Sequence, residues 1–378
     1  MRENKPKLLI VGAFPPKDLR VFGGMVTACH ALINSAISDY YELILIDSTQ
    51  RSNPAPNIGI RILYSFKKFY RFLKHFLLER PDAIILFTAL GASVVEKGAM
   101  AWIARIRRLP ILMFARGAGL IQVAQSSCIQ RFWIKIAMNG ATHFLCQGPA
   151  WQRFATDVLG FSKSESPIVY NWTATQSLLS IGSKRPQVSL ERKEAPKIIF
   201  LGWLEKEKGI FELLDSCLSL FNKYQFSMII AGRGHVEEEA HAFVKANGLE
   251  DIVEFVGWVE GDAKERFLEM GDILVLPSWA EGFPNAVIEA MAAKLAVIVT
   301  TVGNIPDLLT DCDEALLIPP KDTKALESAI ERLLLNQAFR GDLAERGYCF
   351  ARDQFSVEKC VAKLIKAIDH AIGEIKNK

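Results

Sequence analysis

The chain has 378 residues, half of them apolar and 23% charged, which fits two globular domains and excludes a disordered or collagen-like polymer. Seven scattered cysteines with no Cys-x-x-Cys pair argue against a disulfide framework or a structural zinc site and predict a reducing, cytoplasmic setting. The net charge of +3 hides a division: residues 1–165 carry 21 Lys/Arg against 10 Asp/Glu, and residues 166–378 carry 24 against 32, so the halves are expected to face different partners.

In chain order, residues 7–12 are a short apolar run ended by Gly and Pro, which predicts a buried strand. The Pro-Pro and Lys17 that follow it argue against a signal peptide. Gly23-Gly24 then leads into a predicted helix over 25–37. Further buried strands are expected at 41–46, 83–87, 111–114 and 143–146, with helices between most of them. The uncharged run 83–95 is too short for the ~20 residues of a spanning helix. Within 66–78, Phe66, Phe69, Tyr70, Leu73, Phe76 and Leu77 fall on one helical stripe, with Lys67, Lys68, Arg71, Lys74 and His75 on the other side. Basic, aromatic segments recur at 101–108 and 131–135. These are either surface helices with solvated basic faces or a patch for an anionic membrane surface.

Residues 173–196 are rich in Ser, Thr, Gly and Pro and are expected to form a linker. Alternation restarts with strands at 197–201, 227–231, 252–256, 273–276 and 296–300, and the last helices run over 323–335 and 357–375. Strand–helix alternation of this kind predicts parallel sheets covered on both faces. The chain therefore divides into 1–172, a linker 173–196 and 197–356, with the helix 357–375 placed back on the first domain. Each domain is doubly wound and Rossmann-like, the two facing each other across a cleft. Ligands of such sheets bind beyond the carboxyl ends of the strands.

Three loops in the second half lie at such ends. The first runs Gly202-Trp-Leu-Glu-Lys-Glu-Lys208-Gly209, the second is Gly232-Arg233-Gly234, and the third contains Glu281-Gly282-Phe283-Pro284-Asn285 with Glu289 on the following helix. A helix starting at Pro284 or Asn285 offers free backbone N–H groups and the positive dipole end. Gly282 allows close backbone approach, and the two carboxylates suit sugar and ribose hydroxyls. The Asp311-Cys-Asp313 triplet spells a metal-holding pattern but sits in a polar turn, and no other carboxylate or His cluster has metal-ligand spacing.

Together, the Lys-Gly loop at 202–209, the Gly-x-Gly at 232 and the Glu-x7-Glu of Glu281 and Glu289 resemble the retaining glycosyltransferases of family four, which have the GT-B fold. Gly23-Gly24 and the Tyr170-Asn171 turn extend the resemblance to the first half. It implies a nucleotide-sugar donor, a lipid-linked or saccharide acceptor, no cofactor, no metal and no nucleic acid, in assembly of a cell-surface polysaccharide. It places Lys208 and Gly24 at the donor diphosphate, with Glu281 on the transferred sugar beside Gly282, Phe283 and Pro284. Glu289 would hold the ribose hydroxyls, with Gly257 and Trp258 bordering the base and Gly202 and Gly232 in the donor loops. Where that family usually has an Arg after the first Gly, this chain has Trp203. Where it often has a His in the first domain, this chain reads Arg116-Gly117. Arg233, Lys206 or Arg116 is then expected to supply the missing cation. A catalytically silent nucleotide-sugar-binding protein or partner subunit, and an epimerase on the same fold, are the alternatives.

Overall fold

The computed structural model describes residues 5–16, 23–49, 57–116, 119–185 and 195–376. The chain divides into two compact units, Met1–Trp172 with Val357–Lys378, and Thr173–Ser356. In the first unit, strands β1 (Lys7–Gly12), β2 (Glu42–Asp47), β3 (Ala83–Thr88), β4 (Ile111–Ala115) and β5 (His143–Leu145) pair in the order β2-β1-β3-β4-β5, all parallel. Every residue of β3 and β4 is buried, which explains why these strands are continuous apolar runs without alternation. One face of the sheet packs on Phe72 and Phe76 of helix Ile58–Leu78, Met100 of helix Ala92–Ala104 and Ile134 and Met138 of helix Cys128–Met138. The opposite face packs on Ala28, Cys29 and Leu32 of helix Gly24–Ile33 and on Leu364 and Ile368 of the terminal helix Val357–Lys376.

In the second unit, β6 (Lys197–Leu201), β7 (Ser227–Ala231), β8 (Val253–Gly257), β9 (Ile273–Leu276), β10 (Ala296–Thr300) and β11 (Leu316–Ile318) pair in the order β11-β10-β9-β6-β7-β8, again all parallel. The chain moves outward from β6 to β8, then returns to the other side of β6 and runs outward again. The direction reverses between β6 and β9, so the loops after those two strands diverge and leave a crevice at their carboxyl ends.

Two expectations need correction. The segment 173–196 holds a helix, Gln176–Lys184, that is integral to the second unit. Thr175 caps it by accepting from the Leu178 N–H at 3.3 Å, and Leu178 and Leu179 are buried. Its Gly182 lies so close to a neighbouring helix that a Cβ there would stand 2.4 Å from the Ala292 carbonyl oxygen. The Ser, Thr and Gly that suggest a loop are here a helix cap and a close-packing residue. The expected aromatic stripe of 66–78 also divides. Phe69, Leu73 and Phe76 join Phe72 against the sheet, whereas Phe66, Tyr70 and Leu77 face solvent. The sheet meets an arc centred on Phe72 and Phe76, and that arc covers only part of the apolar surface.

Candidate active site

The loop after β6 leaves Gly202, turns through a short 3₁₀ segment Lys206–Lys208 and reaches Gly209 at φ 71°. A Cβ on Gly209 would stand 2.1 Å from the Pro277 carbonyl oxygen, so only glycine lets this loop close on the loop after β9. The Trp279 N–H donates to the Glu207 carbonyl at 2.7 Å and ties the two loops together. That closure brings Lys208 to Glu281. The Lys208 Nζ lies 2.5 Å from Glu281 Oε1, and the Ser278 hydroxyl donates to the same oxygen at 2.9 Å. Glu281 is thus held by its neighbours at the switch point of the sheet.

Glu289 lies one turn into helix Asn285–Ala292, which Pro284 opens at φ −73°. Phe283 and Pro284 are buried, and the Phe283 ring stacks on Phe355 at 5.0 Å, anchoring the entry to the helix. Although Glu289 is almost fully buried, its charge is met. The Lys264 Nζ, from helix Gly261–Met270, lies 2.8 Å from Glu289 Oε1. Sequence reasoning missed Lys264. Its helix is polar, with buried residues only at Phe267 and Leu268, and no local pattern marks one of its lysines as turned toward a carboxylate 25 residues further along. The site therefore holds two carboxylate–ammonium pairs. Each combines acceptor oxygens for hydroxyls with an ammonium that has donors to spare for phosphate oxygens.

The Gly-x-Gly after β7 has a packing role. A Cβ on Gly232 would fall 2.0 Å from the Gly202 carbonyl oxygen, and the Leu204 N–H donates to the Arg233 carbonyl at 2.9 Å. The loops after β6 and β7 thus lie backbone to backbone. The Arg233 side chain is exposed, with its guanidinium beside Gly257, which closes β8 at φ 70°. Trp203 packs on Trp258 with ring centroids 4.8 Å apart, an aromatic pair along the same strand ends. Lys206 points elsewhere, toward Glu239 at 4.0 Å.

The remaining candidates belong to the first unit. Gly24 is the first residue of helix Gly24–Ile33, after Gly23 at φ 143°. Arg116 follows β4 and is buried, its guanidinium 4.9 Å from the Trp172 ring and 5.2 Å from that of Phe114. Its Nη1 has no hydrogen-bond partner among the described residues. Burial pulls the Arg116 pKa down to about 10, with the Cys29 and Cys360 thiols opposing that shift. Gly117 lies outside the described residues. As for Asp311 and Asp313, the first accepts from the Leu317 N–H at 2.8 Å and the second pairs with Arg346 at 2.8 Å, so both serve the turn before β11.

Residues 183–350 match the family profile of Glycosyl transferases group 1. TuaC of Bacillus subtilis, a glycosyltransferase provisionally assigned to teichuronic acid biosynthesis, is 27% identical over 295 residues, covering 77% of this chain and 70% of its own. Among solved structures, sucrose-phosphate synthase from Thermosynechococcus elongatus superposes with a TM-score of 0.75 at 16% identity, covering 98% of this chain and 100% of its own. Anabaena HepE, solved in complex with UDP-glucose, gives 0.68 at 17% identity, covering 96% and 99%. These likenesses identify the fold of both units as that of the GT-B glycosyltransferases.

Proposed function

We propose that this chain, whose residues 183–350 match the group 1 glycosyltransferase profile, transfers a sugar from a nucleotide-sugar donor with retention of anomeric configuration. The observation that carries this reading is the Lys208–Glu281 pair at the reversal between β6 and β9, with Glu289 one turn into the helix that follows. In the proposed arrangement Lys208 faces the donor diphosphate and Glu281 accepts from hydroxyls of the transferred sugar. Glu289 accepts from the ribose, and Gly257, Trp258 and Trp203 border the base. Gly202, Gly282, Phe283, Pro284 and Asn285 supply the backbone around them. Arg233 contributes the cation that Trp203 lacks, and Arg116 is a further candidate for that part.

The acceptor hydroxyl attacks the anomeric carbon from the face that the diphosphate leaves. The bond between that carbon and the phosphate oxygen breaks, its electron pair stays on the diphosphate, and the hydroxyl proton passes to a phosphate oxygen. Lys208, Arg233 and the amides opening helix Asn285–Ala292 stabilise the charge that develops on the leaving group, so the step is proposed to need no divalent metal. The acceptor is a saccharide or a lipid-linked glycan in cell-surface polysaccharide assembly, met at the cytoplasmic face of the membrane. Among the described residues no helix is long and apolar enough to cross a membrane.

The test is release of nucleoside diphosphate from a panel of labelled nucleotide sugars, with and without cell-envelope lipid extract, in the presence of EDTA. Turnover insensitive to EDTA, giving a product with the donor's anomeric configuration by NMR, is expected. Donor binding without turnover on any acceptor would instead identify a silent nucleotide-sugar-binding protein.

A further inference from the structure

The helices Ile58–Leu78, Ala92–Ala104 and Cys128–Met138 share one core and so cover one face of the first sheet. Their inward sides are ordinary, but their outward sides are not. On the last of the three, Ile129, Phe132, Trp133 and Ile136 recur at i, i+3, i+4 and i+7, the spacing of a helix face meant for burial, yet Ile129 is 72% exposed and Trp133 62%. On the first helix Phe66 and Tyr70 stand out at 70% and 67%. Between them the middle helix exposes Val95 and Trp102. Trp102 Nε1 donates to the Ile136 carbonyl at 2.8 Å, and Lys68 pairs with Glu96 at 2.8 Å, so the three helices are joined side by side. Fourteen of the large hydrophobics exposed among the described residues lie on these helices and the short turn Arg105–Arg107 that ends the middle one. An apolar surface of that extent calls for a partner.

The charge on this surface says which partner. Lys67, Arg71, Lys74, Arg105, Arg131 and Lys135 are exposed around the apolar residues. The only acidic residue on the three helices is Glu96, and it is nearly buried between Lys68 and Lys97. At one edge, directly after the exposed Leu77, Leu78 and Ile106, a cleft of about 510 Å³ is lined by Arg80, Arg107 and Arg108 together with Asp82, Ile372 and Ile375. The Arg107 guanidinium is fixed 4.4 Å over the Phe76 ring, and Asp82 is engaged by the Lys7 N–H at 2.8 Å. Arg80 and Arg108 are exposed and have no ion pair among the described residues. Protein interfaces are depleted in lysine, whereas aromatic residues interleaved with Lys and Arg are the composition of a surface that rests in the headgroup region of an anionic bilayer.

We propose that the outer face of these three helices docks on an anionic phospholipid bilayer, with Phe66, Tyr70, Phe132 and Trp133 at the boundary between headgroups and acyl chains and the arginine cleft receiving a lipid phosphate. This needs only the first unit and stands apart from the transferase reading.

The full chain is sedimented with vesicles of phosphatidylcholine alone and of equal parts phosphatidylcholine and phosphatidylglycerol. Binding to the mixed vesicles only, eroded by high salt, is expected because exposed charges are screened. The double variant Phe132→Ser, Trp133→Ser should bind mixed vesicles at least about tenfold more weakly while keeping the wild-type melting temperature, since both side chains are exposed. Arg80→Gln with Arg108→Gln should weaken binding to the mixed vesicles, and inorganic phosphate should compete with the wild type only weakly, because a free ion lacks the apolar contribution. Absence of binding to mixed vesicles at low salt would overturn the proposal. So would a dimer in solution that the Phe132 and Trp133 changes abolish, because the face would then belong to a second copy. Nucleoside diphosphate binding, measured on the same samples, reports separately on the donor site.

Discussion

The two units share an architecture and differ in what they leave on the surface. Of the twenty large hydrophobics exposed among the described residues, only Val256, Met270 and Leu335 belong to the second unit, and seventeen belong to the first. Charge follows the same division. In the second unit, ammonium groups meet carboxylates at Lys208–Glu281, Lys264–Glu289 and Lys294–Glu345, all within 2.8 Å. In the first, the exposed lysines and arginines of the outer helices face no carboxylate on their own helices. The same sheet-and-helix packing thus leaves two different surfaces. The core is made from the inward arcs in both, and the outward arcs are free to differ, apolar and basic in one and charge-paired in the other.

The comparison can be broken at the core first. Phe72→Ala removes a fully buried ring from the first unit and should cost about 3–5 kcal/mol in chemical denaturation, unlike any change on the outer arc of the same helix. If Phe72→Ala costs as little as Phe66→Ala, the inward arc has been misplaced.

The next effect is on the second unit's chemistry. Lys208→Ala should lower turnover on the order of 10²–10³-fold, as loss of a preorganised charge at a leaving group does, with the melting temperature little changed. Glu281→Gln should also act on turnover more than on nucleotide affinity. Unchanged rates in both would remove the pair from the site.

Binding comes third. Glu289→Ala should weaken nucleoside diphosphate binding by about 1–3 kcal/mol through lost charge-assisted hydrogen bonds, read by calorimetry. It also strands the part-buried Lys264, so the double variant Glu289→Ala, Lys264→Met should recover stability without recovering affinity. Recovery of both would mean that the pair is structural only.

Smaller still is Trp203→Arg. With the Arg233 guanidinium already beside Gly257, the added charge should change turnover by less than about threefold, on the order of 0.6 kcal/mol. A large gain would show that the clamp runs short of charge. The smallest effect expected is that of Phe66→Ala on stability, within about 0.5 kcal/mol, because the ring is already in solvent.

Much of this is legible in the residues themselves. Buried parallel strands must be continuous apolar runs, so β1, β6, β7, β9 and β10 declare themselves over the residues they occupy. The Glu281 to Glu289 spacing and the helix start beside Pro284 follow from local chain geometry. What local geometry cannot determine is which arc of a helix meets the sheet and which distant side chain meets a charge. The helix 58–78 has more apolar surface than one sheet can cover, and only packing decides that Phe72 is buried and Phe66 is not. Lys264 reaches Glu289 because the return of the chain across β6 brings helix Gly261–Met270 within a lysine's reach of helix Asn285–Ala292, and the Gly182 helix is read as linker until Ala292 is placed against it. Periodicity is a property of the backbone and is written in the sequence. Orientation and long-range charge pairing are properties of the assembled sheet, and only the tertiary structure decides them.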